Sequence, residues 1–282
     1  MVVPTEKMKE AALAAGIVPD AVDVMGLPLR QGFWHVDTSP SNKRQVRHAL
    51  GLGQDARKVV LVIGGGDGMG KLHDMVRSLV GRCTASGLRT QIVVVCGRNS
   101  ALQQRLKDET WPKGCVLEAG FAGGDDAAGA SQAGADSISA PCDAAATETQ
   151  ACAVLVRVLG FVDNVEEYML GADLCVSKAG PGCISEAAAC ALPILLFDFL
   201  PGQEEENITV VKQRGMGGYE DTTDKAAELA ATWLADEEEL ARMSAAAKAA
   251  ASPTAAISIA EKALAVLGTA LAVPARATKT RP

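Results

Sequence analysis

The chain has 282 residues, of which 48% are hydrophobic and 22% are charged, so it has enough apolar side chains for one large domain or two small ones. Its 34 acidic residues outnumber its 27 basic residues, and the net charge of -7 is the wrong sign for a protein that binds nucleic acid. The composition therefore excludes a wholly disordered chain and a nucleic-acid partner.

Cysteine and histidine usage gives no sign of a metal. The eight cysteines include no CxxC pair and several lie in apolar runs, so we expect reduced, structural thiols. With only three histidines, no metal cofactor is expected. The N-terminus lacks the pattern of a signal or transit peptide, and the apolar run Ala263–Val273 is shorter than the roughly 20 residues of a spanning helix.

The first 26 residues predict half of an α/β unit. VVPT reads as the end of a strand, and EKMKEAALAAG as a helix with Thr5 as its N-cap and Gly16 at its end. A connector rich in turn residues follows, so we place a domain boundary near Gly26. After it, RQVRHALGLG predicts a short helix that ends at glycine.

Buried strands then alternate with helices, which predicts an α/β fold with a doubly wound parallel sheet. The strand segments are VVLVIGGG, QIVVVCGRN, VLVRVLGF, DLCVSK and LPILLFDF, and Ala-rich helices run from Asp224 to about Leu267. We assign residues 27–267 to this domain and 268–282 to a flexible basic tail. Within it, residues 119–153 are low in large apolar side chains, so we expect a disordered insertion there.

The first glycine-rich turn, VVLVIGGGDGMGK, runs from a strand into a helix. Glycines at Gly65, Gly66 and Gly68 let backbone N–H groups approach a phosphate. The spacing fits neither the dinucleotide motif, because Met69 replaces its third glycine, nor the Walker motif, because Leu72 replaces its Ser or Thr. A tight turn without a ligand stays open as the alternative.

The second turn, DLCVSKAGPGCISEAAAC, predicts an anion site. A strand ends at Lys178, a loop rich in glycine leaves backbone donors open, and a helix begins near Cys183. Glu186 lies one turn into that helix, where its carboxylate can reach a ribose diol. The alternative for Glu186 is a capping residue that stabilises the helix dipole.

The third polar segment follows the next strand, in LLFDFLPGQEEENITVV. If a helix starts near Gln203, then Gln203, Glu204 and Asn207 share one face and offer groups that suit sugar hydroxyls. The alternative is a solvated helix start. All three segments follow predicted parallel strands, and open α/β sheets bind ligands at the carboxyl ends of their strands.

In their order along the chain, VVLVIGGGDGMG, VVVCGRN, LGFVDNVEEYM, VSKAGPGCISEA, LPILL and PGQEEEN resemble the monogalactosyldiacylglycerol synthases. These are plant and algal chloroplast glycosyltransferases of the family 28 type. The resemblance implies a GT-B architecture of two Rossmann-like domains, of which this chain is the C-terminal half. Residues 1–26 would then be a remnant of the N-terminal acceptor domain and a linker.

The resemblance also implies the ligands and their sites. UDP-galactose would be the donor, with backbone at Phe161 and Val162 reading uracil and Glu186 binding ribose. The other implied donor contacts are Gly65, Gly66, Gly68, Arg98, Lys178, Ala179, Gly180, Pro181, Gly182, Cys183, Gln203, Glu204 and Asn207. The last three would hold galactose.

The implied activity is a hexosyltransferase that moves galactose to 1,2-diacylglycerol with inversion and without a metal. The resemblance assigns no catalytic residue to this chain, since the general base and the surface that meets diacylglycerol and the membrane belong to the N-terminal domain. It implies a peripheral location at the chloroplast envelope or thylakoid. Glu205 and Glu206, at positions usually small in the family, add negative charge near the donor.

We therefore expect this polypeptide alone to bind UDP-sugar weakly and to transfer little galactose. Two alternatives keep the fold. One is a transferase with another lipid-linked acceptor, such as an N-acetylglucosaminyltransferase or a glucosyltransferase. The other is a non-catalytic nucleotide-sugar-binding subunit that works with a separately encoded partner, although a truncated gene model is the expectation we favour.

Overall fold

The computed structural model describes residues 1–64, 71–118 and 153–271. The predicted insertion at 119–153 lies, apart from Ala153, outside the described residues. The chain divides into two compact units, one made of Met1–His35 with the segment that begins at Ser252, the other of Val36–Ala251.

The first unit contains a pair of short parallel strands, β1 (Val2–Val3) and β2 (Asp23–Val24). Helix α1 (Glu6–Ala14) connects them, and its predicted N-cap Thr5 accepts a hydrogen bond from the Met8 backbone N–H at 3.3 Å. The last helix, α10 (Ala255–Leu271), belongs to the same unit.

This division differs from the boundary that we placed near Gly26. Gly26 has a φ of +83°, and a Cβ added there would lie 2.6 Å from Ser252 Cβ. Lys262 Nζ of α10 also lies 3.1 Å from a carboxylate oxygen of Asp23. Residues 27–35 and 252–267 thus belong to the first unit because of contacts between distant parts of the chain. Local composition does not predict such contacts. Helix α10 also extends into the predicted tail as far as Leu271.

The second unit is built on a seven-stranded sheet in which every pairing is parallel. Its strands are β3 (Lys58–Ile63), β4 (Thr90–Val95), β5 (Cys115–Leu117), β6 (Val154–Leu159), β7 (Leu174–Lys178), β8 (Ile194–Asp198) and β9 (Gly217–Tyr219). Helices accompany them: α2 (Pro40–Leu50), α3 (Leu72–Ala85), α4 (Ser100–Lys107), α5 (Val165–Gly171), α6 (Pro181–Ala189), α7 (Glu205–Gln213), α8 (Thr223–Ala235) and α9 (Glu237–Ala250).

The central strands are largely apolar because both faces of the sheet are covered, and the polar residues Thr90, Gln91 and Arg157 within them are buried as well. All six residues of β4 and of β6 are buried. The core that joins the sheet to α3 and α8 is made largely of Val, Leu and Ala side chains. This agrees with the low aromatic content of the sequence, 4%.

The strand order β5-β6-β4-β3-β7-β8-β9 places a change of direction at the centre of the sheet. From β3 the chain first adds strands on one side and then returns to add β7 on the other. β3 and β7 are therefore neighbours, with Ile63 opposite Ser177. In doubly wound sheets this switch point opens a crevice at the carboxyl ends of the strands.

One segment of the described chain, Glu237–Leu267, is long and apolar enough to count as a candidate membrane span, with a mean hydropathy of 1.2. It differs from the expectation that no stretch is long enough. In the structure it comprises two helices, α9 and α10, separated around Pro253. Three glutamates open α9, and Leu240, Met243 and Ala247 on its inner face are buried. We read α9 as a packing helix, not as part of a span.

Candidate functional site

The loop between β7 and α6 lies at the switch point, at the carboxyl edge of the sheet. The register of β7 against β8 shifts between Ser177 and Lys178. Such a bulge redirects the strand and the side chain that follows it. Beyond the bulge, the Ala179 N–H donates to the Asp198 carbonyl at 2.8 Å, so the loop stays attached to β8.

Helix α6 begins at Pro181, two residues earlier than predicted, with Gly180 as its N-cap. Proline at the first helical position has no N–H to satisfy and has its φ already set. No side chain of the described chain caps this helix. Its first-turn N–H groups are therefore available to an anion, and the positive end of the helix dipole adds to the attraction.

The described residues leave space in front of this helix end. A Cβ added at Gly182 would meet none of their atoms within 4 Å. One added at Gly180 would lie 3.6 Å from Lys178 Nζ and 3.6 Å from Glu204 Oε1, which places these two charged groups directly over the N-cap. An amide-lined helix end and an ammonium group thus converge on one place.

Glu204 and Asn207 reach this loop from the start of α7. Glu204 is 7% exposed, and its carboxylate accepts hydrogen bonds from Lys178 Nζ at 2.5 Å and from the Leu200 N–H at 3.0 Å. Asn207 Nδ2 donates to the Ala179 carbonyl at 2.8 Å. Helix α7 begins at Glu205, with Glu204 as its N-cap, rather than near Gln203.

The structure therefore separates the three polar residues that we placed on one face. Glu204 and Asn207 hold the loop, while Gln203 is exposed. Glu205 and Glu206 are exposed in the first turn of α7, where carboxylates stabilise a helix. Sequence reasoning missed the contacts between Lys178 and Glu204 and between Asn207 and Ala179.

Cys175 lies on β7 and Cys183 in the first turn of α6, whereas Cys190 is the C-cap at the far end of α6. The hydrogen bond to Cys183, together with burial, raises the pKa of Cys175, and the same hydrogen bond lowers the pKa of Cys183. Burial raises the pKa of Cys190. Ser177 is fully buried on β7, and a hydrogen bond from its side chain also lowers the pKa of Cys183. Glu186 is half-buried on α6, on the same helix as Cys183.

A cavity of about 360 Å³ opens at the carboxyl ends of β4 and β6, lined by Gly97, Arg98, Ser100, Gln103 and Phe161. The Arg98 guanidinium lies 5.0 Å from the centre of the Phe161 ring, in a cation–π contact. Val162, the next residue, is buried. Two strand spacings separate β4 from β7, so the cavity and the α6 loop are about 10 Å apart across the sheet.

The predicted donor-site glycines Gly65, Gly66 and Gly68 lie outside the described residues. The strand before them, β3, ends beside β7, with Ile63 opposite Ser177. Within the described ranges no group of three or more His, Cys, Asp or Glu side chains is arranged to hold a metal ion. The six described cysteines are free thiols.

A second cavity, of about 260 Å³, lies at the opposite, amino-terminal edge of the sheet. Four of its charged side chains form two ion pairs, Lys43 with Asp173 at 2.8 Å and Lys58 with Glu237 at 2.8 Å, and the Asp37 carboxylate accepts hydrogen bonds from Ser39. These contacts stabilise the edge of the sheet and leave the carboxyl edge as the candidate site.

The family model described as "Glycosyltransferase family 28 C-terminal domain" matches residues 134–263. These residues span the α6 loop and the start of α7. This part of the chain is similar to the C-terminal domain of the family 28 glycosyltransferases.

Two curated proteins to which the chain is similar come from plants. The chain is 29% identical over 245 residues to monogalactosyldiacylglycerol synthase 3, chloroplastic, of Arabidopsis thaliana, covering 86% of this chain and 43% of the relative. It is 31% identical over 244 residues to the probable monogalactosyldiacylglycerol synthase, chloroplastic, of Nicotiana tabacum, covering 85% and 37%. The chain thus spans about two fifths of the length of these relatives.

Solved structures show the same fold. The likeness to MurG of Acinetobacter baumannii has a TM-score of 0.53 at 16% identity and covers 83% of this chain and 58% of that one. For the MnaA–UDP co-structure from S. aureus the TM-score is 0.58 at 15% identity, with 95% and 60% covered. The predicted fold class, a Rossmann-like doubly wound parallel sheet of the GT-B glycosyltransferases, is confirmed.

Proposed function

We propose that this chain is the donor-binding half of a galactosyltransferase that moves galactose from UDP-galactose to 1,2-diacylglycerol. The observation that carries the proposal is the uncapped N-terminus of α6 at the switch point, with Lys178 Nζ lying over Gly180. Backbone N–H groups, a helix dipole and an ammonium group together suit a diphosphate. The choice of galactose and diacylglycerol as substrates is based on the relatives named monogalactosyldiacylglycerol synthase.

In this proposal the nucleotide lies across the carboxyl edge of the sheet. The base occupies the cavity beside Arg98 and Phe161, where backbone at Phe161 and Val162 reads the uracil edge. Glu186 binds the ribose. The diphosphate lies against Ala179, Gly180, Pro181, Gly182 and Cys183. Gly65, Gly66 and Gly68 are proposed as further donor contacts. Two structural neighbours support a uridine nucleotide: MnaA of S. aureus was solved with UDP, and the UDP-GlcNAc 2-epimerase of Neisseria meningitidis was solved with UDP-GlcNAc.

The proposed chemistry is a displacement with inversion at the anomeric carbon. The glycerol hydroxyl attacks that carbon, its proton passes to a general base, and UDP leaves with the bonding electron pair. The charge that grows on the leaving diphosphate is stabilised by the α6 N–H groups and by Lys178, so the reaction needs no metal. The general base and the surface that meets diacylglycerol and the membrane are proposed to lie outside these residues.

The place of action follows from the relatives alone. Because they are named as chloroplastic, we propose a peripheral location at a chloroplast membrane, the envelope or the thylakoid.

Donor titrations test the proposal. Calorimetry of the chain with UDP-galactose, UDP-glucose and UDP-N-acetylglucosamine should show the tightest binding for UDP-galactose, with no change when EDTA is added. Absence of binding by every donor would contradict the proposal. Preference for UDP-N-acetylglucosamine would favour a transferase with that sugar instead. The chain alone, mixed with diacylglycerol and UDP-galactose, should show little transfer.

A further inference from the structure

Lys178 and Glu204, two charged residues of the proposed donor site, form an ion pair with each other. The Glu204 carboxylate accepts a hydrogen bond at each oxygen, one from Lys178 and one from the Leu200 N–H. Its side chain is 9% exposed. These two hydrogen bonds fix the orientation of the carboxylate and direct it at Lys178.

Lys178 retains donors that Glu204 does not use. An ammonium group has three N–H donors, and Glu204 accepts one of them. The Lys178 side chain is 28% exposed, and its Nζ lies over the N-cap of α6. The remaining donors are therefore close to the place where the first-turn N–H groups of α6 would hold a phosphate.

We infer that Lys178 binds the diphosphate of the nucleotide and that Glu204 is a positioning residue which holds Lys178 over the loop and offsets its charge. This inference rests on the proposed function and changes the role of Glu204 from a sugar contact to a control on diphosphate affinity. Glu204 keeps the ammonium in place when the site is empty. It also opposes the negative charge of the bound diphosphate, which favours release of UDP after transfer.

The two roles of Glu204 predict opposite results for Glu204→Gln. The glutamine keeps an oxygen that can accept from Lys178 but removes a negative charge beside the diphosphate. The Glu204 carboxylate and the diphosphate repel each other, and this repulsion is stronger in a partly buried site than in water. UDP should therefore bind about fivefold or more tightly to the variant. A sugar contact predicts unchanged UDP binding and weaker UDP-galactose binding. Damage to the fold would lower the affinity for both UDP and UDP-galactose. Tighter UDP binding therefore cannot result from structural damage.

The experiment is a calorimetric titration of UDP, UMP and UDP-galactose into the wild-type chain, Glu204→Gln, Lys178→Met, Lys178→Arg and the Lys178→Met/Glu204→Gln double variant. Lys178→Met should weaken UDP about tenfold or more, as expected for loss of a charge-assisted hydrogen bond, and should change UMP less. Lys178→Arg should retain UDP binding. The double variant should bind UDP less tightly than Glu204→Gln alone.

Glu237→Gln is the matched control, because Glu237 accepts from Lys58 at 2.8 Å on the opposite edge of the sheet. It should leave all three affinities unchanged. Unchanged UDP binding in Glu204→Gln, or UDP binding in Lys178→Met equal to wild type, would overturn the inference. Tightest binding of UDP-galactose by the wild-type chain would still support the proposed donor, with the α6 N–H groups as the remaining diphosphate contacts. If Glu204→Gln fails to fold, the Lys178→Met result decides alone. Failure of the wild-type chain to bind any uridine nucleotide would overturn both.

Discussion

The side-chain amide of Asn207 donates a hydrogen bond to the carbonyl of Ala179, 2.8 Å away, and so connects the first turn of α7 to the loop that precedes α6. On its other side Ala179 donates its N–H to the Asp198 carbonyl. The loop is thereby fixed by two neighbouring elements before any ligand arrives. Fixing the donors in advance reduces the ordering cost of binding a diphosphate.

Replacement of Asn207 by alanine should loosen this loop. The Ala179 carbonyl loses its partner, which costs about 1 kcal/mol of the free energy of unfolding and lowers UDP affinity several-fold. Denaturant unfolding and UDP titration of the same preparation measure the two effects. Gln104→Ala is the control, since Gln104 donates to Asp108 on an exposed helix face, 2.9 Å away, and should change neither quantity. UDP affinity equal to wild type in Asn207→Ala would show that the loop keeps its shape without this bond.

Asp173 should make the stability of the second unit depend on acid pH. Its carboxylate accepts hydrogen bonds from Lys43, Arg47 and the Val59 N–H at 2.8, 2.6 and 2.8 Å. Burial alone would raise the pKa of Asp173, but the charges of Lys43 and Arg47 outweigh it and hold this pKa below the ordinary 3.8. Since the folded pKa is lowered, the stabilisation is complete above the ordinary value and is lost as pH falls toward the lowered one.

Asp173→Asn should therefore cost about 2–4 kcal/mol at neutral pH, because it leaves two cations without their counter-charge. The variant should also lose less stability than wild type between about pH 5 and pH 2. Urea unfolding of both proteins at several pH values measures the free energy of unfolding at neutral pH and its dependence on pH. Asp221→Asn, at an exposed pair with Lys225, is the control and should follow the wild-type curve. Parallel curves for wild type and Asp173→Asn would contradict the assignment.

Cys183 should be alkylated before the core cysteines. The hydrogen bond from Cys175 lowers the pKa of Cys183, whereas burial raises the pKa of Cys83 to about 11 and that of Cys96 to about 12. The thiolate is the reactive form, so a short exposure to iodoacetamide followed by peptide mass mapping should label Cys183 first. Bound UDP should slow this labelling, since Cys183 lies in the first turn of α6. Faster labelling of Cys83 or Cys96 would contradict the prediction.

The sequence allowed prediction of the elements that local patterns determine. The central strands β3, β4, β6, β7 and β8 are apolar runs bounded by turns, and α1 and α2 end where capping residues predict. The predicted start of α6 near Cys183 was two residues late, although Pro181 is a usual first residue of a helix. Strands β5 and β9 were not predicted, because each has three residues and β9 opens with two glycines.

The interior of the site could not be predicted in the same way. Lys178 and Glu204 are 26 positions apart, and their contact depends on how β7 and β8 pair and where the bulge falls. The resemblance named both residues as donor contacts without indicating that they bind each other. The placement of the α6 loop beside β3 likewise depends on strand order, a property of the whole sheet.

The most direct test of the account is UDP binding by Gly182→Ala. A methyl group at this position meets no atom of the described residues within 4 Å, so the variant should fold. Alanine in place of glycine in a helix stabilises by about 0.5–1 kcal/mol. Cβ atoms of a helix lean toward its N-terminus, so the methyl would enter the space where a diphosphate meets the α6 N–H groups.

Gly81→Ala is the matched control, because Gly81 also faces open space on helix α3. We predict that Gly182→Ala melts at or above the wild-type temperature and binds UDP about tenfold more weakly. We also predict that Gly81→Ala binds UDP as wild type does. Equal UDP affinity in Gly182→Ala and wild type would contradict the account, because the diphosphate would then lie elsewhere than at the N-terminus of α6.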